Sequence, residues 1–233
     1  FNEATAFVKI KINKKPVSIN ESQLAIIENV PFGTSLASVS LADYVVEATA
    51  DGFPVEGSIS WVDETVYPGD IGAEAVDGCF ICNAVFKPDD QAYQTTQFQI
   101  RIKTVKGNVS GSVSVLPTVD VKVEAGTVLT DALLSTENSK VYIDGYMKDG
   151  VLVEITGVFN WESYAKVTPA TSTYKAVFTP TGEFAQYVNS YTWSVPVSIV
   201  TDSKCFTYSE IDESNFTVTI AGLEAHDCPN GGH

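Results

Sequence analysis

The sequence predicts an all-β protein made of two tandem β-sandwiches. Three observations carry that expectation. The chain repeats itself after about 93 residues, its apolar residues alternate with polar ones, and each copy holds a tryptophan at the same point of the repeat. Gly57-Ser58-Ile59-Ser60-Trp61 returns as Gly157-Val158-Phe159-Asn160-Trp161. Asn83-Ala84-Val85-Phe86-Lys87-Pro88 returns as Lys175-Ala176-Val177-Phe178-Thr179-Pro180. Gly33-Thr34-Ser35-Leu36 returns as Gly126-Thr127-Val128-Leu129, and Tyr93 returns as Tyr187. The offsets are 100, 92, 93 and 94 residues, so short loop insertions separate two copies of one unit. A repeat of this length exceeds a solenoid turn and suits a small domain.

Taken in order, the first element is an alternating strand in which Val8, Ile10 and Ile12 interleave with Lys9 and Lys11. Residues 1–12 are expected to be either the last strand of an upstream repeat or the first strand of the first domain. Repeat 1 spans 13–106. Its strands are expected at Leu24–Ile27, Tyr44–Ala48, Ser58–Val62 and Phe80–Phe86, followed by the alternating run of Phe98, Ile100 and Ile102. Repeat 2 spans 107–201. It has β-branched runs at Val113–Leu116 with Val119–Val123, and at Val141–Met147, Val151–Trp161 and Thr173–Phe178. The run of Trp193, Val195, Val197 and Ile199 closes it, with Pro196 marking an edge or a bulge because it lacks an amide donor. Asp51-Gly52 and Asp149-Gly150 are expected two-residue turns, since both residue types tolerate positive φ. No stretch carries a 3.6-residue stripe; Leu36–Tyr44 and Leu129–Leu134 have room for one helical turn each. Residues 202–233 match neither copy and are expected to be a tail or the start of a further module, with Asn215–Ile220 alternating like a strand. About seven or eight short strands per copy point to two packed sheets, each copy built around Trp61 or Trp161. The other residues expected to define the cores are Phe86, Phe178, Tyr93 and Tyr187.

Composition narrows the partners. Net charge is −15, from 29 acidic and 14 basic residues. Nucleic acid and anionic membrane surfaces both attract positive charge, so neither is an expected partner. No apolar run approaches the 18 or so residues of a membrane span, and no signal-peptide pattern is visible. A first residue of Phe1 in place of Met gives the expectation of an internal piece of a longer protein.

Taken together, Gly-Thr-x-Leu, Gly-x-Ile/Phe-x-Trp, Cys/Tyr-x-Ala-Val-Phe-x-Pro, then Tyr and an alternating strand resemble bacterial immunoglobulin-like repeats. More narrowly, they look like the repeats of Gram-positive and gut-bacterial surface proteins. The two versions here continue as Phe86-Lys87-Pro88-Asp89-Asp90 and Phe178-Thr179-Pro180-Thr181-Gly182. The resemblance covers about residues 13–201 and the strand at 1–12. It implies two tandem immunoglobulin-like β-sandwich domains, secretion or display on a bacterial cell surface, and a role in spacing or adhesion. Its motifs determine the fold, and no catalytic residues come with them. Copy 1 departs by about eight extra residues between Trp61 and Phe86, which include Tyr67-Pro68-Gly69-Asp70.

The residues that could carry chemistry are few. Cys79-Phe80-Ile81-Cys82 has C-x-x-C spacing, but it leads into a strand and not into the helix start that stabilises a redox thiolate, so free thiols are expected. Cys205 and Cys228 are a candidate disulfide fastening the tail; such a loop contributes about 3 kcal/mol. Zinc on four cysteines has only one close pair to build on. The histidines are His226 and His233, so no Ser-His-Asp or Cys-His system fits inside either repeat. Asp63-Glu64 and Asp89-Asp90 are acidic loops without EF-hand spacing, and calcium is left open. Tyr67, Tyr142, Tyr146 and Tyr164 are candidates for a sugar-stacking platform or for ordinary strand residues. Asn20-Glu21-Ser22, Asn108-Val109-Ser110 and Asn215-Phe216-Thr217 match the glycan-acceptor pattern, which matters only in a eukaryotic secretory route.

The expectation is therefore a non-enzymatic, monomeric spacer or adhesive region with no catalytic residues, no metal and no cofactor. It is extracellular or on the cell surface, and its host, cell-surface or glycan ligand is unspecified. The alternative is a pair of carbohydrate-binding accessory modules of a secreted polysaccharide-degrading enzyme. A stiff joint with little Gly or Ser is expected at about Lys103–Ser110.

Overall fold

The computed structural model describes residues 13–200, 207–212 and 217–221. The expected strand at 1–12, the candidate Cys205–Cys228 disulfide and both histidines lie outside these residues. The described chain is all-β: strands and four short 3-10 turns, with no α-helix among the described residues. The strands in chain order are β1 (Ser18–Ile19), β2 (Ile27–Pro31), β3 (Ala48–Ala50), β4 (Phe53–Pro54), β5 (Gly57–Trp61), β6 (Phe80–Pro88) and β7 (Thr96–Val105). There follow β8 (Val123–Glu124), β9 (Tyr142–Lys148), β10 (Val151–Glu154), β11 (Gly157–Trp161), β12 (Thr173–Pro180), β13 (Tyr191–Pro196) and β14 (Ile199–Val200). Last come β15 (Thr207–Asp212) and β16 (Thr217–Ala221), an antiparallel hairpin.

The chain forms two compact units. Within the described residues the first gathers 13–108, 143–153 and 186–188, and the second gathers 109–142, 154–185 and the residues from 189 onward. Residues 143–153, the greater part of the β9–β10 hairpin, thus belong with the first unit although the repeat assigns them to copy 2.

In the first unit a four-stranded sheet runs β2-β7-β6-β5 and a three-stranded sheet runs β1-β3-β4. Period two sets its inner face. Phe98, Ile100 and Ile102 on β7 are buried while Gln97, Gln99, Arg101 and Lys103 are exposed; Cys82, Ala84 and Phe86 point inward from β6. Facing them are Val17, Leu24, Leu36, Leu41, Ala48 and Val55, with Trp61 in the same cluster. Tyr93 is half-buried against this core. β2 runs parallel to β7, pairing Ile27 with Ile102 and Pro31 with Val105, with an irregularity near Asn29, whose φ is +62°. Asp51-Gly52 and Asp149-Gly150 both have two positive φ values, the geometry of a tight two-residue hairpin turn.

The hairpin residues enter the first unit through an aromatic cluster. The Phe32 ring meets Tyr146 edge-on at 5.0 Å and stacks on Tyr187 at 5.0 Å, and Tyr67 meets Tyr146 edge-on at 5.3 Å. Two glycines allow the approach. A Cβ on Gly33, which has φ of +83°, would press on Ile143 and Tyr146, and one on Gly107 would collide with the Phe32 carbonyl. Phe32, Ile143 and Tyr146 are all buried. The expected joint at Lys103–Ser110 is accordingly no free linker. Lys103 to Val105 lie in β7, and Gly107 is buried with its N–H donating to Tyr187 O at 2.9 Å.

The second unit has a three-stranded sheet β11-β12-β13 and a parallel pair of β8 with β14. Its core joins Val123, Leu129, Leu134, Trp161, Val167, Ala176, Val195 and Val197. Phe178 is buried, and the Phe159 ring packs on it at 5.1 Å. Three expected strands come out differently. Val151–Trp161 is two strands, because the chain breaks at Ile155-Thr156, where the Ile155 N–H donates to Val141 O and Thr156 O accepts from Thr181 N–H. Val113–Val123 holds only isolated bridges and β8, interrupted by Pro117, which has no N–H to give a ladder. The alternating run after Trp193 stops at Pro196 and resumes as β14. In the first copy, Leu24 precedes β2 instead of opening it, since Glu21–Gln23 form a 3-10 turn.

The placement of Tyr146 yields a prediction. Tyr146→Ala removes a buried ring and should cost about 3 kcal/mol. Amide exchange should accelerate in β2 and β7, elements of copy 1, although the substitution lies in copy 2. Acceleration confined to β11–β13 would refute the assignment of residues 143–153 to the first unit.

Candidate functional site: the free edges of β5 and β11

The repeated Gly-x-x-x-Trp motif forms the outer strand of the main sheet in each unit. β5 pairs with β6 so that Gly57 faces Pro88 and Trp61 faces Ala84; β11 pairs with β12 so that Gly157 faces Pro180 and Trp161 faces Ala176. The glycines are explained by crowding. A Cβ on Gly57 would strike the Lys87 carbonyl and the Phe86 ring, and one on Gly157 would strike the Phe178 ring and the Thr179 carbonyl.

Hydrogen bonding fixes which backbone groups face outward. The Val62 N–H donates to Asn83 O at 3.0 Å, and the Glu162 N–H donates to Lys175 O at 2.9 Å. Antiparallel ladders alternate bonded and unbonded pairs, so Gly57, Ile59 and Trp61 turn their N–H and C=O groups away from β6. Gly157, Phe159 and Trp161 do the same with respect to β12. Among the described residues both strands end their sheets, so these groups line the outer edges. Each indole is turned inward and satisfied: Trp61 Nε1 donates to Val39 O and Trp161 Nε1 to Thr130 O, both at 2.9 Å.

The two edges are covered differently. On β11, Asp131 Oδ1 accepts the outward Trp161 N–H at 3.1 Å, while Oδ2 accepts Asn160 Nδ2 at 3.0 Å and the Tyr164 hydroxyl at 2.9 Å. Partial burial pushes the Asp131 carboxyl up, but the bonds from Asn160, Tyr164 and the Trp161 amide outweigh it, and the net shift is downward. On β5, Val39 takes the place of Thr130 as acceptor of the indole, so Ser40 stands where Asp131 does. Ser40 Oγ instead accepts the Ala42 N–H at 3.2 Å within its own turn. Among the described residues no side chain bonds the outward groups of β5. A cleft of about 610 Å³ lies between β5 and the segment 36–46; the cleft at the Gly157 end of β11 is about 190 Å³.

The other residues singled out in the sequence have structural jobs. Cys79 and Cys82 are free and buried, and burial pushes the Cys82 thiol from 9.0 up to about 11. Asp63 Oδ1 accepts the Thr65 N–H and hydroxyl, and Asp90 Oδ1 accepts the Ala92 N–H, so both acids close turns. No group of three His, Cys, Asp or Glu that could hold a metal is found among the described residues. The four tyrosines divide between the two units. Tyr146 is buried with its hydroxyl on Asp70, and Tyr67 donates to Gly145 O at 2.7 Å, both within the first unit. Tyr142 is half-buried and Tyr164 exposed in the second. Sequence reasoning passed over Asp131 and Phe32. Neither belongs to the repeated motifs, and only the fold shows what they touch.

No protein-family model matches this sequence, and no curated protein matches it. No helix among the described residues is long and apolar enough to cross a membrane.

Two predictions follow from these groups. Asp131→Ala should lower the stability of the second unit by about 1 kcal/mol at neutral pH, by losing charge-assisted hydrogen bonds at a partly exposed site. The folded carboxyl titrates below its ordinary value, so this contribution is complete above the ordinary carboxylate range and is lost as pH falls through the folded pKa. Denaturant titrations at pH 7 and pH 2 should show the variant and parent converging in acid; an equal gap at both would refute the role of the charge. For Cys82 the sign is reversed. The folded thiol holds its proton longer than the unfolded one, so stability should fall as pH rises from about 9 toward about 11. Labelling of the native protein with a disulfide reagent at pH 8 should be far slower than after unfolding, and equal rates would contradict the burial.

Proposed function

We propose that this chain is a non-enzymatic pair of immunoglobulin-like β-sandwich modules from the exterior of a bacterium, serving as a spacer and adhesive contact. The observation that carries the reading is the duplicated core. Each unit has its own cluster, its own edge strand of Gly-x-x-x-Trp form, and an indole bonded at the same distance to the carbonyl of the incoming segment. Duplication of this kind preserves what a stable module needs and leaves loops and edges free to vary. The acidic balance, at −15 overall, favours solubility and contacts with cationic ligands over nucleic acid.

The test is attachment under flow. Beads coated with the protein should be retained on cells or extracellular matrix above the level of albumin-coated beads, and the soluble protein should compete. Retention no better than albumin would count against adhesion. Saturable binding of soluble oligosaccharides, lost in Tyr164→Ala, would replace this reading with a carbohydrate-binding one.

A further inference from the structure

We propose that the free edge of β5 accepts an extended segment of a partner protein, one that alternates apolar with basic residues, as an added strand. Gly57, Ile59 and Trp61 present outward N–H and C=O groups, and five residues of strand offer a rung about 17 Å long. The cleft alongside is about 610 Å³, and Tyr44, Val45, Val46 and Ile59 give its walls their accessible apolar surface. Every second side chain of an added strand would turn toward these walls. The copy at β11 supplies an internal control. There Asp131 takes up the outward Trp161 N–H, and the neighbouring cleft is about a third the size. Among the described residues no side chain does the same on β5. Its Gly57-Ser58-Ile59-Ser60 run has neither the lysine nor the proline with which exposed edges are commonly blunted.

Charge selects the partner. Glu64 is the charged residue lining the cleft, and no Lys or Arg lines it. Asp43 and Glu47 flank Tyr44–Val46 in sequence and are exposed, but they line a separate cleft of about 390 Å³. Val45 is 80% exposed between them, adding apolar surface to the rim. An extended segment with apolar residues inward and lysine or arginine outward matches this arrangement, whereas an acidic one is repelled. The inference concerns β5 alone and stands or falls independently of the adhesive reading.

The experiment uses the whole chain and a fluorescein-labelled hexapeptide, Val-Lys-Ile-Lys-Ile-Lys, followed by fluorescence polarisation at low salt. Saturable micromolar binding is expected, at least tenfold weaker for the Val-Glu-Ile-Glu-Ile-Glu counterpart. Glu64→Lys, an exposed substitution that leaves the core untouched, should weaken binding at least tenfold. Ile59→Pro, which removes an outward N–H while keeping the bonds to β6, should abolish it with an unchanged circular dichroism spectrum. Absence of saturation at millimolar peptide overturns the proposal, as does binding that Glu64→Lys leaves unchanged. Dimerisation of the peptide-free protein through this edge would identify a second copy as the occupant and would equally overturn it, as would binding seen only once residues 1–12 are removed, since the peptide repeats the chain's own Val8-Lys9-Ile10-Lys11-Ile12.

Discussion

A buried indole must find an acceptor for its one N–H, and that requirement organises each unit. Leaving such a donor unpaired costs about 1–3 kcal/mol, a large share of a domain's net stability. Trp61 meets the requirement at Val39 O and Trp161 at Thr130 O. Each bond ties the segment arriving from the Gly-Thr-x-Leu turn to the outer strand of the sheet. The same strand needs a glycine four residues before the tryptophan, because the ring of Phe86 or Phe178 and the opposing backbone occupy the space of a Cβ. The spacing of the motif is therefore a packing rule. Glycine admits the aromatic ring, the strand's period carries the indole to the inner face, and the preceding segment supplies the carbonyl.

Much of the strand inventory was legible because alternation is a direct image of a half-buried sheet. Phe98, Ile100 and Ile102 fall on the inner face as their spacing requires. The tight turns at Asp51-Gly52 and Asp149-Gly150 were legible for the same reason: these residue types adopt positive φ at little cost. What could not be read is pairing between distant segments. Nothing in Ile27–Pro31 announces a parallel partner at Ile102 to Val105. Likewise, nothing in Tyr142–Lys148 shows that Ile143 and Tyr146 pack around Phe32. The motif match made the copies look self-contained, whereas burial of one aromatic cluster decides which unit owns the hairpin.

The candidate site was legible only as two unremarkable strands. Ser58–Val62 was recognisable as β-structure, but its position at the end of a sheet is a property of topology. The difference between the two edges rests on a single carboxylate, Asp131, against the hydroxyl of Ser40. In sequence the two residues look equally like loop positions. The tyrosines illustrate the converse. Their aromatic character suggested a binding platform, yet Tyr67 and Tyr146 spend their rings and hydroxyls on internal contacts.

The ownership of residues 143–153 and 186–188 by the first unit also bears on the order of events during synthesis. A polypeptide emerges from the ribosome N-terminus first, at about 5–20 residues per second, and domains commonly fold as they appear. Here the N-terminal unit has most of its strands once residue 108 is out, but its last segment ends at residue 188, so 188 − 108 = 80 further residues must follow. At that pace the wait is about 4–16 seconds. For about the first half of that interval, until Tyr146 is made, the Phe32 ring has neither Tyr146 nor Tyr187 beside it, and Tyr187 is added only at its end; the nascent chain meanwhile carries a sticky aromatic face that invites chaperone capture.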